Sequence, residues 1–263
     1  MLNWSVQEAL VFTLLIFRSA GLMMITPFFG STAIPIRIRL MFSIVLSYCI
    51  IDVVPRTMPA NHIIASWNLG DYLLNVLGEV AVGSAMGLIC LAMFSAIIYA
   101  GQVIDQSLGL SVAELIDPFT QQQGTVTGQL QFYLFMVVFL MLNGHLQLLE
   151  VFIESVSRVP MAYVSVNNGF IEIFMGVLDS ALQLTIRFAA PVMFLAFLIN
   201  LALGFMSKAV PTMNVFILGF PVKTLMGLGL LMVVLGQIMS YATSMTEELV
   251  ETEYKVLEVL NNG

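Results

Sequence analysis

Between Gly101 and Gly128 the sequence reads GQVIDQSLGLSVAELIDPFTQQQGTVTG, a polar stretch that separates two long apolar runs. Its three charged residues, Asp105, Glu114 and Asp117, are all acidic, and glutamines surround them. Such groups cannot lie bare in hydrocarbon, because each unmatched polar group there costs several kcal/mol. The stretch is therefore expected outside a bilayer or inside a water-accessible cavity. We interpret it as a loop that closes a pore.

The composition around this stretch is that of a membrane protein. Of the 263 residues, 59% are hydrophobic and only 10% are charged, against about 25% charged in soluble domains. The nine basic residues are scattered and form no basic patch, which argues against a nucleic-acid partner. The two cysteines lie within apolar runs and indicate no disulfide framework.

The apolar runs predict about six helical segments. They cover residues 9–29, 38–54, 72–100, 130–153, 170–207 and 224–245. Most are of the length that spans a bilayer. A short connection is expected over 208–223. Residues 246–260 alternate acids with leucines and valines at helical spacing, which predicts an amphipathic helix that docks on a partner or on the chain itself. The predicted fold is all-α, a polytopic helical membrane-associated protein.

Among the ionisable residues inside these apolar runs, three are candidates for a functional role. Arg18 lies in the middle of the first run, and Asp179 and Arg187 lie eight residues apart in the fifth. A charge at such a position is unfavourable and usually faces a bundle interior or an aqueous cavity. Two interpretations stay open at this point: structural pairing or snorkelling, and a place on the pathway of a small-molecule or ion transporter. The two halves show no convincing internal repeat, which disfavours the transporter.

Catalytic motifs are missing from the sequence. It contains no HExxH, GxSxG, Walker A or CxxC motif, and its two histidines, His62 and His145, offer little general-base capacity near neutral pH. We expect no enzymatic activity, no cofactor and no metal site.

Short motifs in a specific order run along the whole chain. They are Phe17-Arg18-Ser19-Ala20-Gly21, Pro27-Phe28-Phe29-Gly30, Ile34-Pro35-Ile36-Arg37, Gly78-Glu79, Gly101-Gln102-Val103-Ile104-Asp105, Asp117-Pro118 and Asn143-Gly144-His145. The most specific is Pro211-Thr212-Met213-Asn214-Val215-Phe216, followed by Gly219, Pro221 and Lys223. Together these motifs resemble the FliR family of flagellar export-gate proteins, whose injectisome counterpart is the SctT family. Thr212 stands where the family usually has Gln, and Lys208 stands where it typically has Arg.

The resemblance implies a fold and a set of partners. Residues 1–263 would form one FliR-like domain, with a FliP-like part over about 1–180 and a FliQ-like hairpin plus tail over about 181–263. The implied function is that of a core channel subunit of the flagellar type III export gate, which passes unfolded flagellar proteins across the bacterial inner membrane at the basal body. The implied partners are FliP-like and FliQ-like gate subunits, FlhB-like and FlhA-like export proteins, membrane lipid and the exported chains.

The resemblance also assigns roles to residues. The central loop that plugs the family's pore maps onto about 105–122. Its candidate residues are Asp105, Gln106, Ser107, Leu108, Gly109, Leu110, Ser111, Val112, Glu114, Asp117, Pro118 and Phe119. The candidate assembly and structural residues are Arg18, Pro27, Gly30, Pro35, Glu79, Asn143, Gly144, His145, Pro211, Asn214, Phe216, Gly219, Pro221 and Lys223. An apolar stretch such as Leu108-Gly109-Leu110 could seal a narrow aperture by dewetting it. From the residues alone, a plain surface loop remains the alternative.

Overall fold

The computed structural model describes residues 6–31, 33–53, 68–110, 125–159, 161, 168–210 and 215–261. These residues form seven α-helices and a short 3-10 turn, and they contain no strand. The helices are α1 (Val6–Ile25), α2 (Ile36–Ile50), α3 (Leu69–Leu108), α4 (Val126–Met141), α5 (Gly144–Arg158), α6 (Asn168–Ala209) and α7 (Val215–Asn261), with the 3-10 turn at Ile51–Val53. The predicted all-α class is confirmed.

Four of these helices are long and apolar enough to cross a membrane. The candidate spans are Glu8–Ile25, Leu69–Leu108, Gly169–Ala209 and Gly219–Ile238. Helices α4 and α5, which meet at a 66° bend, make a fifth if they count as one span. The six expected segments all contain helix, but α2 has only 15 residues, which is short for a span.

The chain divides into two compact units. Unit 1 comprises Met1–Ala92, Asn143–Leu178 and Thr246–Gly263, and unit 2 comprises Met93–Leu142 and Asp179–Met245. Each unit has a core of its own. The buried side chains of unit 1 include Leu14, Leu22, Met86, Ile89, Leu148, Phe152 and Leu257, and those of unit 2 include Phe94, Ile104, Phe135, Phe139, Phe188 and Ile238.

In unit 1 the backbones of α1 and α3 approach closely at glycines. A Cβ added at Gly83 would overlap the carbonyl oxygen of Arg18, and one at Gly21 would lie 2.7 Å from the carbonyl oxygen of Val80. A Cβ at Gly87 would lie 2.9 Å from that of Ile25. The Gly83–Gly87 spacing therefore serves ordinary close packing of two helices, as small residues do in membrane bundles.

This packing makes Gly83→Ala a destabilising change. We expect it to lower the free energy of unfolding by about 1–3 kcal/mol, because the added methyl must push two helix backbones apart. Gly176→Ala is the control, since nothing lies within 4 Å of that position in α6. There the change should instead add about 0.5–1 kcal/mol of stability, because alanine is the better helix former. Denaturant titration in mild detergent compares the two, and equal effects would contradict the close approach.

The core of unit 2 is built on aromatic side chains of α3 and α4. The ring of Phe94 lies 4.8 Å from that of Phe135 and 5.2 Å from that of Phe139, edge to face in both cases. Such pairs contribute about 0.5–1.5 kcal/mol each beyond their buried area. The two helices also touch at Gly101, where an added Cβ would overlap the backbone of Gly128. The two helices are thereby held together beside the ends of the central polar stretch.

Two predicted connections are shorter than expected. The central loop was expected to begin at Gly101, but residues 101–108 continue α3. Burial there is possible because the carboxylate of Asp105 finds hydrogen-bond donors and Leu108 packs against Gly227 of α7. The connection expected over 208–223 ends earlier, because α7 begins at Val215 and includes Pro221.

Helix α7 also continues without a break through the predicted amphipathic tail to Asn261. The tail was expected to dock either on a partner or on the chain itself, and the structure shows the second: Leu249, Leu257 and Leu260 are buried within unit 1.

Candidate functional site

A fully buried ion pair lies at the centre of unit 1. Arg18 of α1 and Glu79 of α3 are both 0% exposed, and the Nε of Arg18 donates to the Oε2 of Glu79 at 2.5 Å. The Nη1 of Arg18 donates to the carbonyl oxygen of Ser155 in α5 at 3.0 Å. Both Nη atoms lie 3.4 Å from the carbonyl oxygen of Val159. One guanidinium group therefore joins three helices.

Structural contacts account for all three charges that the transporter interpretation would use. Arg18 is paired as described, which satisfies the rule that a buried charge needs a partner and hydrogen bonds. The carboxylate of Asp179 accepts from Nε2 of Gln183, one turn along α6, at 2.8 Å on an exposed face. The guanidinium of Arg187 lies 5.8 Å from the ring centroid of Tyr241, within cation–π distance. These contacts favour structural pairing.

In unit 2 a second buried acid joins the two ends of the central polar stretch. Asp105 is 1% exposed near the end of α3. Its Oδ2 accepts from the backbone N–H of Thr127 at 3.0 Å, and its Oδ1 accepts a short hydrogen bond from the Thr127 hydroxyl. Thr125 is the N-cap of α4 and its hydroxyl accepts from the N–H of Gly128 at 3.3 Å. The negative carboxylate thus lies at a helix N-terminus, where the helix dipole stabilises it.

The other end of the stretch is also fixed. Gly109 has a φ of +81° directly after α3, the left-handed conformation that ends many helices. The N–H of Leu110 donates to the carbonyl oxygen of Asp105 at 2.9 Å, and Leu108 is fully buried. The described residues on both sides of 111–124 are therefore held by hydrogen bonds within unit 2.

The structure places only part of the predicted plug. Asp105, Gln106, Ser107 and Leu108 belong to α3, and Gly109 and Leu110 form the turn that follows it. Leu108 packs into the core of unit 2, so it is not part of a loop as expected. The remaining candidates, Ser111, Val112, Glu114, Asp117, Pro118 and Phe119, lie outside the described residues.

Besides Arg18 and Glu79, three predicted assembly residues of the first half of the chain lie in a turn or at a helix start. Pro27 and Gly30 lie in the turn after α1, where the N–H of Gly30 donates to the carbonyl oxygen of Thr26 at 2.6 Å. Pro35 occupies the N-cap position of α2 with φ −56° and ψ 139°. These residues shape the turn of the backbone that connects α1 to α2.

The later assembly residues are only partly described. Asn143 adopts a left-handed conformation with φ 58° at the bend between α4 and α5, and Gly144 begins α5. The Nδ1 atom of His145 is buried and has no hydrogen-bond partner among the residues described. In α7, a Cβ at Gly219 would lie 2.7 Å from Leu203, and Pro221 and Lys223 follow in the same helix. Pro211, Asn214 and the side chain of Phe216 lie outside the described residues.

Sequence reasoning missed the role of Thr127 and the burial of Glu253. The signal for Thr127 was present: Thr125 and Thr127 precede an apolar run, as N-terminal capping residues do. For the burial of Glu253, the sequence offered no signal beyond the helical spacing of the amphipathic tail. Within the described ranges, no three His, Cys, Asp or Glu side chains come together as a metal site would require.

Comparison of the sequence with known proteins shows the family to which the chain belongs. The sequence profile of the bacterial export proteins, family 1, matches residues 9–249. The flagellar biosynthetic protein FliR of Bacillus subtilis is 28% identical over 255 residues, which cover 95% of each chain. FliR of Aquifex aeolicus is 29% identical over 86% of each chain. The Yop proteins translocation protein T of Yersinia pestis is 28% identical over 63% of this chain and 64% of its own. The chain is thus a member of the bacterial export proteins, family 1, the FliR/SctT family.

Proposed function

We propose that this chain is a core channel subunit of the flagellar type III export gate and passes unfolded flagellar proteins across the bacterial inner membrane. Its place as a membrane component of a type III export apparatus follows from the family and from the candidate spans. The observation that carries the finer proposal is the similarity to FliR along nearly the whole chain. The family is one of export-apparatus components and is not an enzyme family.

The flagellar system is favoured over an injectisome by the extent of the matches. The FliR proteins of Bacillus subtilis and Aquifex aeolicus match over 95% and 86% of their lengths, whereas the Yersinia pestis translocation protein matches over 64%. Flagellar subunits in the unfolded state are therefore the proposed cargo.

The surface of α6 and α7 supports a hetero-oligomer in a membrane. Large apolar side chains stay exposed along both helices in the isolated chain: Leu182, Ile186, Phe194, Phe197, Leu201, Phe205, Leu225, Met226, Met232 and Val233. Soluble monomers rarely expose contiguous apolar surface on this scale, so lipid or other subunits must cover it. We propose FliP-like and FliQ-like subunits as the neighbours, with FlhB-like and FlhA-like proteins in the same apparatus. Residues 181–263 would form the FliQ-like hairpin and tail.

The anchored polar stretch is the proposed plug. The described residues that flank it are fixed in unit 2, Asp105 and Gly109 before it and Thr125 after it. A segment anchored at both ends can close an aperture and still give way when a chain passes. Glutamines such as those at 121–123 offer reversible hydrogen bonds at the edge of such an aperture.

The test starts from co-expression of this chain with its FliP-like and FliQ-like partners. Native mass spectrometry in mild detergent should find it within a large mixed complex. Replacing residues 111–121 with a short Gly-Ser linker spares Asp105 and Leu108. We expect that variant to assemble normally and to let ions leak across the membrane, measured by dye efflux from vesicles. The same linker placed over residues 57–66 is the control and should leave the membrane tight.

Each arm has an outcome that contradicts the proposal. A chain that runs alone or only as a homo-oligomer removes the basis for the gate, and the transporter alternative would take its place. A complex that assembles with the linker at 111–121 and holds ions as well as the wild type shows that this segment does not plug the pore.

A further inference from the structure

The last turns of α7 form an amphipathic segment that packs on unit 1. We call residues 246–261 the tail segment. Its buried positions follow helical spacing: Leu249, Glu253, Val256, Leu257 and Leu260 are all at most 4% exposed. Four of these five are aliphatic, as a buried helical stripe requires. The exception, Glu253, lies in the middle of the stripe.

The carboxyl group of Glu253 is isolated. The residue is 0% exposed, and neither carboxyl oxygen has a hydrogen-bond partner in the part of the chain that the structure describes. The other buried acids are treated differently, since Glu79 is paired with Arg18 and Asp105 accepts two hydrogen bonds from Thr127. A bare buried carboxylate is penalised by several kcal/mol, so the site suits the uncharged acid form.

Among the described residues, the cations beside the tail segment are engaged elsewhere and do not pair with Glu253. From α5, Arg158 contacts Glu154 at 2.5 Å, Glu258 at 3.9 Å and the ring of Tyr254 at 5.2 Å. On the tail segment itself, Lys255 is exposed and pairs with Glu251 at 2.7 Å.

The remaining titratable groups near the tail segment would oppose a negative charge. Two of them are the thiol of Cys90 from α3, within electrostatic range of Glu253, and Glu150 from α5, within that range of Tyr254. Burial of the Glu253 carboxyl raises its pKa well above the ordinary value near 4.5.

We propose that Glu253 is a protonation-controlled latch: the tail segment stays docked on unit 1 while this carboxyl is protonated and is released when it becomes charged. Because the acid holds its proton more tightly when docked than when released, docking is fully favoured below the ordinary carboxyl pKa. It weakens as the pH rises toward the raised pKa, by up to about tenfold per pH unit within that window.

The latch would control access to an apolar cavity in unit 1. This cavity has a volume of about 350 Å³ and is lined by α3, by Phe170 and Phe174 of α6, and by Leu260 of the tail segment. Release of the tail segment removes the Leu260 wall and uncovers Cys90, which is fully buried in the docked state. Deprotonation would thus expose an apolar surface on this unit.

Hydrogen exchange on the full-length chain in lipid nanodiscs tests the latch. The readout is the protection of amides 246–261, corrected for intrinsic exchange rates, at about pH 6 and about pH 9. We expect protection in the wild type to fall about tenfold or more at the higher pH. Glu253→Gln keeps the shape of the side chain but cannot become charged. Its tail segment should therefore stay protected from exchange at both pH values. Glu251→Gln, on the exposed face of the same segment, should behave like the wild type.

A second readout covers the case in which Glu253→Gln folds poorly. In a Cys49→Ser background, Cys90 should react with a thiol reagent at the higher pH in the wild type and stay unreactive in Glu253→Leu, each compared with the unfolded chain at the same pH. Equal protection of the wild-type tail segment at both pH values would overturn the proposal. A fall in amide protection at the higher pH that is as large in Glu253→Gln as in the wild type would also overturn it.

Discussion

Replacing Arg18 with methionine is expected to lower the free energy of unfolding by about 3–5 kcal/mol, because it breaks a fully buried ion pair by removing one of its two members. The carbonyl oxygens of Ser155 and Val159 lose their donors at the same time. Denaturant titration of the purified chain in mild detergent measures the change, and the yield of mixed export-gate complex should fall with it. Glu79→Gln should be destabilising in the same sense.

The double variant Arg18→Met/Glu79→Leu separates a structural role from a transport role. Replacing both members of a buried pair with apolar residues is often neutral or stabilising, so we expect most of the lost stability and export to return. Arg187→Met is the control, because among the described residues it removes the contact with the ring of Tyr241, worth about 0.5–1 kcal/mol at an exposed site. A double variant that folds and assembles but exports nothing would show that the charged pair acts in transport and is not only structural.

The buried pair also shows what the sequence could and could not predict. Arg18 and Glu79 both belong to motifs that were visible in the sequence, and a charge inside an apolar run signals a need for a partner. Their pairing was not predictable, because the two residues are 61 positions apart and lie on different helices. Which faces of α1 and α3 meet depends on Gly21 and Gly83, and these small residues could equally have packed against another helix.

The presence of each long helix was easier to predict from the sequence than the residues at which it begins and ends. The length of each apolar run was enough to place the long helices, and the spacing of the tail segment was enough to predict that it docks. The end of α3 was misplaced because glycine and polar residues such as Gly101 and Gln102 are typical of loops. In the folded chain, Gly101 is instead a contact point with Gly128, and Asp105 has its own donors. Tertiary contacts, not local preference, decide where this helix ends.

The largest effect expected in unit 2 comes from Asp105→Ala. The change removes two hydrogen bonds to a charged acceptor, each worth about 1.5–3 kcal/mol, and leaves the N–H and hydroxyl of Thr127 without their acceptor. We expect a loss of about 3–4 kcal/mol in the free energy of unfolding, at the lower end of that sum because water can enter part of the vacated site. Asp179→Ala is the matched control, because within the described part of the chain that exposed acid accepts from Gln183 on its own helix. Its effect should stay within about 0.5 kcal/mol.

Asp105→Ala also probes how the plug is held. If the plug closes the pore because both of its ends are fixed, loosening the joint between Asp105 and Thr127 should raise the ion leak even though residues 111–122 are intact. Asp105→Asn keeps one acceptor oxygen and should give a leak between those of the wild type and Asp105→Ala. Ion efflux from vesicles that carry equal amounts of assembled complex measures this order. An Asp105→Ala complex that is assembled, less stable and still tight would mean that closure depends on the sequence of residues 111–122 and not on its anchors.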